Sequence, residues 1–420
     1  MLRLKSTTYK SDIYKEFFMY AFLIFLGGAT TLTRYKMTIL QSDIGGIIAV
    51  LLVISLGVRY RVKLWNKYLF IFLGILSIWA ILQSFKWNKL VIPATLYWDI
   101  VAGYVICMAY KRSIFKYFEK CMYVLCVIAI FLWGLSFLLP IMPSILKAIS
   151  PNWINGLVES NILVFGLELP DFGAALFFRR NVGFAWEPGR FACFIAIAAF
   201  INLAMFKFRI RNNSHIWVFL LTLLSTQSTT GYVILVVIIL AYLFNVRIYI
   251  KALVLSMSIP FVLYLFTLPF MRDKIDNYMI GEDRNETFVE VADYKADQDV
   301  VYVPQRFDGL LWEWYNFEKE PLLGYGTDVN YSYTAKRFNN KVVLYNGVIK
   351  ILAVFGVFWG LMVYFLYYKG SVYFSSLFNV KGSMFFFIIF FMMNVSYAFY
   401  DEPVFLAMFL IPFFTNSKGC

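Results

Sequence analysis

Residues 179–190 read Arg-Arg-Asn-Val-Gly-Phe-Ala-Trp-Glu-Pro-Gly-Arg. Three arginines and a glutamate border an apolar run that begins near residue 190. Solvation alone does not explain that much charge at such a boundary. A guanidinium is a planar fork that grips a phosphate or carboxylate at two points, which makes Arg179, Arg180 and Arg190 candidate holders of an anion. Pro188 and Gly189 suit the start of a helix, whose first N–H groups also favour an anion. Glu187 is a candidate general base, or a partner for one of the arginines. The plainer alternative is interfacial anchoring by Arg and Trp.

A second group is Ser225-Thr226-Gln227-Ser228-Thr229-Thr230-Gly231-Tyr232, hydroxyls and an amide in succession, where Ser228 is a candidate ligand for sugar or phosphate oxygens. Such residues also terminate helices without further role. A third group runs from Arg306 through Trp312 and Trp314 to Pro321-Leu322-Leu323-Gly324-Tyr325-Gly326, and ends at Tyr345-Asn346-Gly347. Trp312 and Trp314 have the size to stack on sugar rings or to fill a small core. Gly324 and Gly326 permit backbone conformations closed to other residues. Asp401-Glu402-Pro403 could hold a hydroxyl or a cation, with solvated loop charge as the plainer reading. Asp99 stands in or near an apolar span, where a carboxylate is costly and often functional.

The single histidine, His215, stands next to a span and reads as an interfacial residue without chemistry. External Ser-His-Asp hydrolysis and most zinc sites are thereby excluded. Cys107, Cys121, Cys126, Cys193 and Cys420 lie in or beside apolar runs or at the end of the chain, none inside a long loop. They read as core packing, with no disulfide framework and no metal site.

The elements that must position these groups follow from composition. Of 420 residues, 61% are hydrophobic and only 15% are charged, against about 25% charged in soluble domains. Apolar runs of roughly the length that crosses a bilayer, about 20 residues, recur along the chain. They fall at 17–33, 44–58, 68–84, 91–110, 121–140, 190–206, 214–228, 231–246, 251–270, 347–367, 383–400 and 403–415. The expected fold is an all-α polytopic membrane protein of about twelve spans. Its expected regions are a five-span part over 1–140, a long loop over 141–189, a central membrane part over 190–270, a second long loop over 271–346 and a C-terminal membrane part over 347–420. The first loop reads as amphipathic pieces along the interface. The second reads as a small folded cap, mobile near 282–302.

The net charge of +13 is a matter of orientation, with no nucleic-acid partner implied. Lys and Arg gather in alternate connections, near Lys15, at 59–67, 111–120, 207–211 and 247–251, and at Lys369 and Lys381. The positive-inside rule makes that side cytoplasmic, with both termini on it and both long loops outside.

Taken in order, the pieces Arg180-x-x-Gly183-x-x-x-Glu187-Pro188-Gly189, Ser225 to Gly231, Arg306 with the Pro-Leu-Leu-Gly-Tyr-Gly run, and Asn346 before a Gly-containing span resemble the O-antigen polymerase (Wzy-type) and O-antigen ligase superfamily. The resemblance covers about 179–367. It implies a multi-pass enzyme of the bacterial inner membrane that acts on undecaprenyl-pyrophosphate-linked oligosaccharide at the periplasmic face. It implies arginines (Arg180, Arg190, Arg306) on the pyrophosphate, no metal, nucleotide or other cofactor, and it admits a chain-length regulator as partner. Ligases of the family carry a His before the Asn that opens the late span, whereas this chain has Tyr345-Asn346. Polymerase is therefore expected over ligase, with Glu187 first and Tyr345 second as the base. A flippase would need charge in several spans, and here the spans are nearly free of it.

Overall fold

The computed structural model describes residues 12–26, 44–139, 160–162, 165–168, 179–252, 306–344 and 346–415, with residues 141, 142, 145, 254, 256, 260 and 304. Five helices come first: α1 (Ile13–Phe25), α2 (Ile44–Arg59), α3 (Lys67–Trp87), α4 (Ala94–Tyr110) and α5 (Ile114–Leu138). Three short strands follow, β1 (Ser160–Ile162), β2 (Phe165–Glu168) and β3 (Arg180–Asn181). Then come α6 (Pro188–Met205), α7 (Ser214–Ser225), α8 (Thr229–Asn245), α9 (Arg306–Lys319), α10 (Tyr333–Arg337), α11 (Val348–Phe378), α12 (Phe385–Ser396) and α13 (Pro403–Phe414).

The chain is mostly helical and membrane-embedded in character. Helices occupy eleven of the twelve expected apolar segments, and the segment at 251–270 lies almost wholly outside the described residues. By length and composition, four helical stretches can cross a bilayer: Lys67–Trp87, Ala94–Leu138, Pro188–Met205 and Val348–Phe378. The second joins α4 to α5 through a 3-10 turn at Lys111–Ser113, where Lys111 takes a positive φ. The first long loop adds a small sheet to this mostly helical fold. There β1, β2 and β3 form an antiparallel sheet, with Ile162 opposite Phe165 and Leu167 opposite Asn181. Phe165 and Leu167 both join the buried core, so strand pairing satisfies the backbone where amphipathic pieces along the interface were expected.

The core centres on α6, which is buried on every face from Pro188 to Ala204. It packs against α5, α7, α8 and α12. A helix enclosed on all sides must be apolar all round, and Arg190 is the one charged residue in α6.

The basic connections gather at one end of the bundle. Lys120 pairs with Glu16 at 2.5 Å, the Tyr110 hydroxyl donates to the Lys15 carbonyl, and the Tyr60 hydroxyl donates to Asp12. The amides of Asn245 and Lys381 are also joined, from α8 to the turn before α12. Glu119 accepts from Asn202 at 2.8 Å and meets His215 Nδ1 at 2.8 Å, while Tyr123 stacks on the His215 ring at 3.7 Å. The histidine read as a bare interfacial residue is thus the partner of a buried carboxylate. Burial without that partner would be costly for Glu119.

Residues 306–344, the described part of the second long loop, form a small folded unit. Its core is Trp312, Phe338 and Val342. The part expected to be mobile, near 282–302, lies outside the described residues.

Candidate functional site

At the opposite end of the bundle four helices begin beside one another: α6, α8, α11 and α13. The sequence supplies a start signal at each. Pro188 and Pro403 occupy first-turn positions, the Ser228 hydroxyl accepts from the Gly231 N–H at 3.3 Å, and Asn346 accepts from the Ile349 N–H at 3.1 Å. A helix start carries partial positive charge and N–H groups without intrahelical partners. Four of them at one place make an anion-favouring end of the bundle.

Tyr397, in the turn after α12, is where they meet. A Cβ on Gly189 would lie 2.4 Å from the Tyr397 hydroxyl and 3.4 Å from Ser228 Oγ, so a larger residue there would push the Tyr397 hydroxyl aside. Trp186 meets the Tyr397 ring edge-on at 6.0 Å. The Gly347 N–H donates to the Asn394 carbonyl at 2.7 Å, and Asn346 donates to the Val395 carbonyl at 2.6 Å. Asn346 is buried and ties α11 to the end of α12.

The first two sequence groups are joined directly. Arg180 donates to the carbonyls of Thr226 at 3.3 Å and Gln227 at 3.2 Å. Asn181 donates to Ser225 Oγ at 2.9 Å. Arg179 turns away, donating to the Ser136 carbonyl at the end of α5. Glu187 is half-buried at the N-cap of α6 and makes no capping hydrogen bond.

Arg190 is engaged inside the protein. It forms an ion pair with Glu402, the two side chains only 10% and 8% exposed, and its guanidinium lies 4.6 Å from the Phe399 ring centroid. Of the two carboxylates read as solvated loop charge, Glu402 is therefore buried and Asp401 is half-buried. Burial pushes the Asp401 carboxyl up, against the opposing pull of Lys350 and Arg190. Glu313, on the cap helix α9, is 1% exposed and accepts from Asn316 at 3.2 Å. Burial pushes its carboxyl up to about 6, with Lys350 and the Asn316 bond opposing. Lys350, in the first turn of α11, thus acts on carboxyls from both the cap and the bundle.

The Pro321–Gly326 run, with Gly324 and Gly326, plugs a break in α11. Gly356 leaves helical conformation there, at φ 76 and ψ 174. The freed carbonyls of Ala353 and Val354 accept from the N–H groups of Tyr325 at 2.8 Å and Gly326 at 3.1 Å, and the Val357 N–H donates to the Pro321 carbonyl at 2.8 Å. Broken backbone inside a membrane bundle persists only when protein satisfies it this way. From α3, Gln83 and Lys86 donate to the carbonyls of Leu323 and Gly324 at 2.5 and 2.7 Å, and Lys86 pairs with Glu320 at 2.5 Å.

Of the two tryptophans expected to meet sugar, Trp312 is 1% exposed and offers no face to a ligand. The small core of the cap uses its whole ring. Trp314 is exposed, and its indole donates to Glu318 at 2.5 Å. Arg306 opens α9, but its side chain, like all of Tyr345, lies outside the described residues. No group of three or more His, Cys, Asp or Glu suited to a metal occurs among the described residues.

Sequence reasoning missed Tyr397, Lys350 and Glu313 as members of this end. Tyr397 lies within an aromatic-rich apolar run and carries no local signal. Lys350 was legible only as a charge near the start of a span, and Glu313 only as the residue between two tryptophans. No family model matches the chain, and no curated relative matches it either.

Proposed function

We propose that this chain is a polymerase of undecaprenyl-pyrophosphate-linked oligosaccharide repeat units, a glycosyltransferase of the bacterial inner membrane working at its periplasmic face. The observation that carries this reading is Arg180 bound to the Thr226 and Gln227 carbonyls, beside the helix starts. A lipid pyrophosphate is an anion held at the membrane boundary, and that is the ligand such an end favours.

In the proposed reaction an acceptor hydroxyl of one lipid-linked repeat attacks the anomeric carbon of another. The bond to the pyrophosphate breaks with inversion, and the pyrophosphate leaves with the bonding pair. Arg180 and the helix starts stabilise the growing negative charge. Glu187, half-buried at the rim of α6, takes the proton of the attacking hydroxyl. Arg190, engaged by Glu402, acts as a positioning residue that locks α6 to α13. The orientation proposed puts the basic end in the cytoplasm with both termini.

The test is purified protein with a lipid-linked repeat unit as sole substrate, products being sized. Longer glycans with release of undecaprenyl pyrophosphate are expected, and Arg180→Ala and Glu187→Gln should lose elongation at equal protein level. Elongation that appears only after a lipid A acceptor is added would assign the chain to ligation instead. A periplasmic reporter inserted at Asn339-Asn340 should be active, and one inserted at Arg209 silent.

A further inference from the structure

The connection from α6 to α7, at the basic end of the bundle, frames a concavity that the proposed reaction does not use. Its volume is about 420 Å³, and it is lined by Met205, Phe206, Lys207, Arg209, Arg211 and Asn212. Three of those residues are cations. The chain carries no Asp or Glu from 188 to 272, so no acid near in sequence neutralises them. Among the described residues, none of the three side chains has an ion pair, a hydrogen bond or a ring contact. Other cations of this end are engaged: Lys120 pairs with Glu16, and Arg59 lies 4.1 Å from the Tyr14 ring centroid. Glu119 is turned inward, to Asn202 and His215.

The loop is pinned at two points. Phe208, between Lys207 and Arg209, is buried and packs on Phe200 and Tyr242 at 6.2 and 6.3 Å. Asn213 is buried and donates to Asn202 at 2.7 Å. The backbone between them is thereby held in one short arc, and the like charges it carries are kept together. The last carbonyls of α6 are closed, since Leu203 and Ala204 accept from the N–H groups of Phe208 and Lys207 at 2.7 and 3.0 Å. The start of α7 has no side-chain cap, so its first N–H groups add positive potential at the same place.

An anion completes this arrangement. The two guanidinium forks suit phosphate oxygens, which they can grip at two points. Phe206, in the loop, and Trp217, in the first turn of α7, are 42% and 55% exposed. Exposed aromatic rings beside cations mark the boundary between bilayer and water, where a phosphate arrives attached to acyl chains. We propose that the connection between α6 and α7 binds the phosphate of an anionic phospholipid in the leaflet at the basic end. This site stands independently of the polymerase reading.

The experiment is lipid retention by the full chain, read by native mass spectrometry after equilibration with phosphatidylglycerol and phosphatidylcholine of the same acyl composition. Phosphatidylglycerol should be preferred by about tenfold. Lys207→Gln with Arg209→Gln and Arg211→Gln should abolish the preference, and the single Arg209→Gln should lower it several-fold if the triple variant does not fold. Arg61→Gln with Lys63→Gln and Lys67→Gln removes the same charge from another basic connection and should keep most of the preference. Equal loss in the two triple variants would overturn the assignment, because the attraction would then belong to the whole basic end. Equal retention of the two lipids by the parent, or a preference that survives Arg209→Gln, would overturn it too. Displacement of the bound lipid by inorganic phosphate would give the loop to a soluble anion, and so overturn the lipid assignment.

Discussion

Gly324 and Gly356 stand back to back, each at positive φ (70° and 76°), and a Cβ on either would lie 2.1 Å from a backbone carbonyl oxygen of the other's segment. The cap thus enters the membrane bundle through one break in α11. Both glycines are required twice over, by conformation and by space.

Gly356→Ala should therefore be strongly destabilising. Its backbone conformation, φ 76 and ψ 174, costs about 1–3 kcal/mol for a residue with a side chain, and the overlap with Leu322 adds about 1–3 kcal/mol of overpacking. Thermal melting of the purified protein in detergent should show a large downward shift, and Gly324→Ala should behave alike. Unchanged melting in both variants would contradict the docking of 321–326 into the break.

Arg190 and Glu402 should be coupled. Removing one partner leaves a buried charge uncompensated, at about 3–5 kcal/mol. Arg190→Met and Glu402→Met should each cost that much, while the double variant should cost clearly less than the two together. A double-mutant cycle on melting measures the difference, and strict additivity would mean that the pair does not form.

Glu313 should make stability fall with rising pH. Its folded carboxyl titrates at about 6, above the ordinary value of 4.5, so between those pH values the folded chain holds more proton than the unfolded one. Stability from this group is complete below 4.5 and is lost as pH rises through 6. The loss at neutral pH is about 2 kcal/mol. Glu313→Gln keeps an oxygen for Asn316 and removes the charge, so it should melt higher than the parent at pH 7.5 and alike at pH 4.5. A lower melting point at pH 7.5 would reverse the sign of the argument.

His215→Ala should weaken the basic end without touching the other. Glu119 would keep Asn202 but lose a partner held at 2.8 Å, costing about 1–3 kcal/mol. The expected outcome is lower melting with unchanged elongation per folded molecule. Lost elongation at equal fold would move His215 into the reaction.

What the sequence by itself determined is the membrane character, the helical segments and the gathering of Lys and Arg into alternate connections. These follow from residue type and local spacing. Even the start signals at Pro188, Ser228, Asn346 and Pro403 are local, and all four open helices. The tertiary structure decided which of the charges are engaged and by what. Arg190 and Glu402 are 212 residues apart and Arg180 and Thr226 are 46 apart. No local pattern encodes such pairs, because they exist only where helix packing brings distant turns within hydrogen-bond reach. The same holds for Trp312, whose type suits a sugar platform or a core equally well. Phe338 and Val342, folding back from beyond α9, settle it as core by covering the ring.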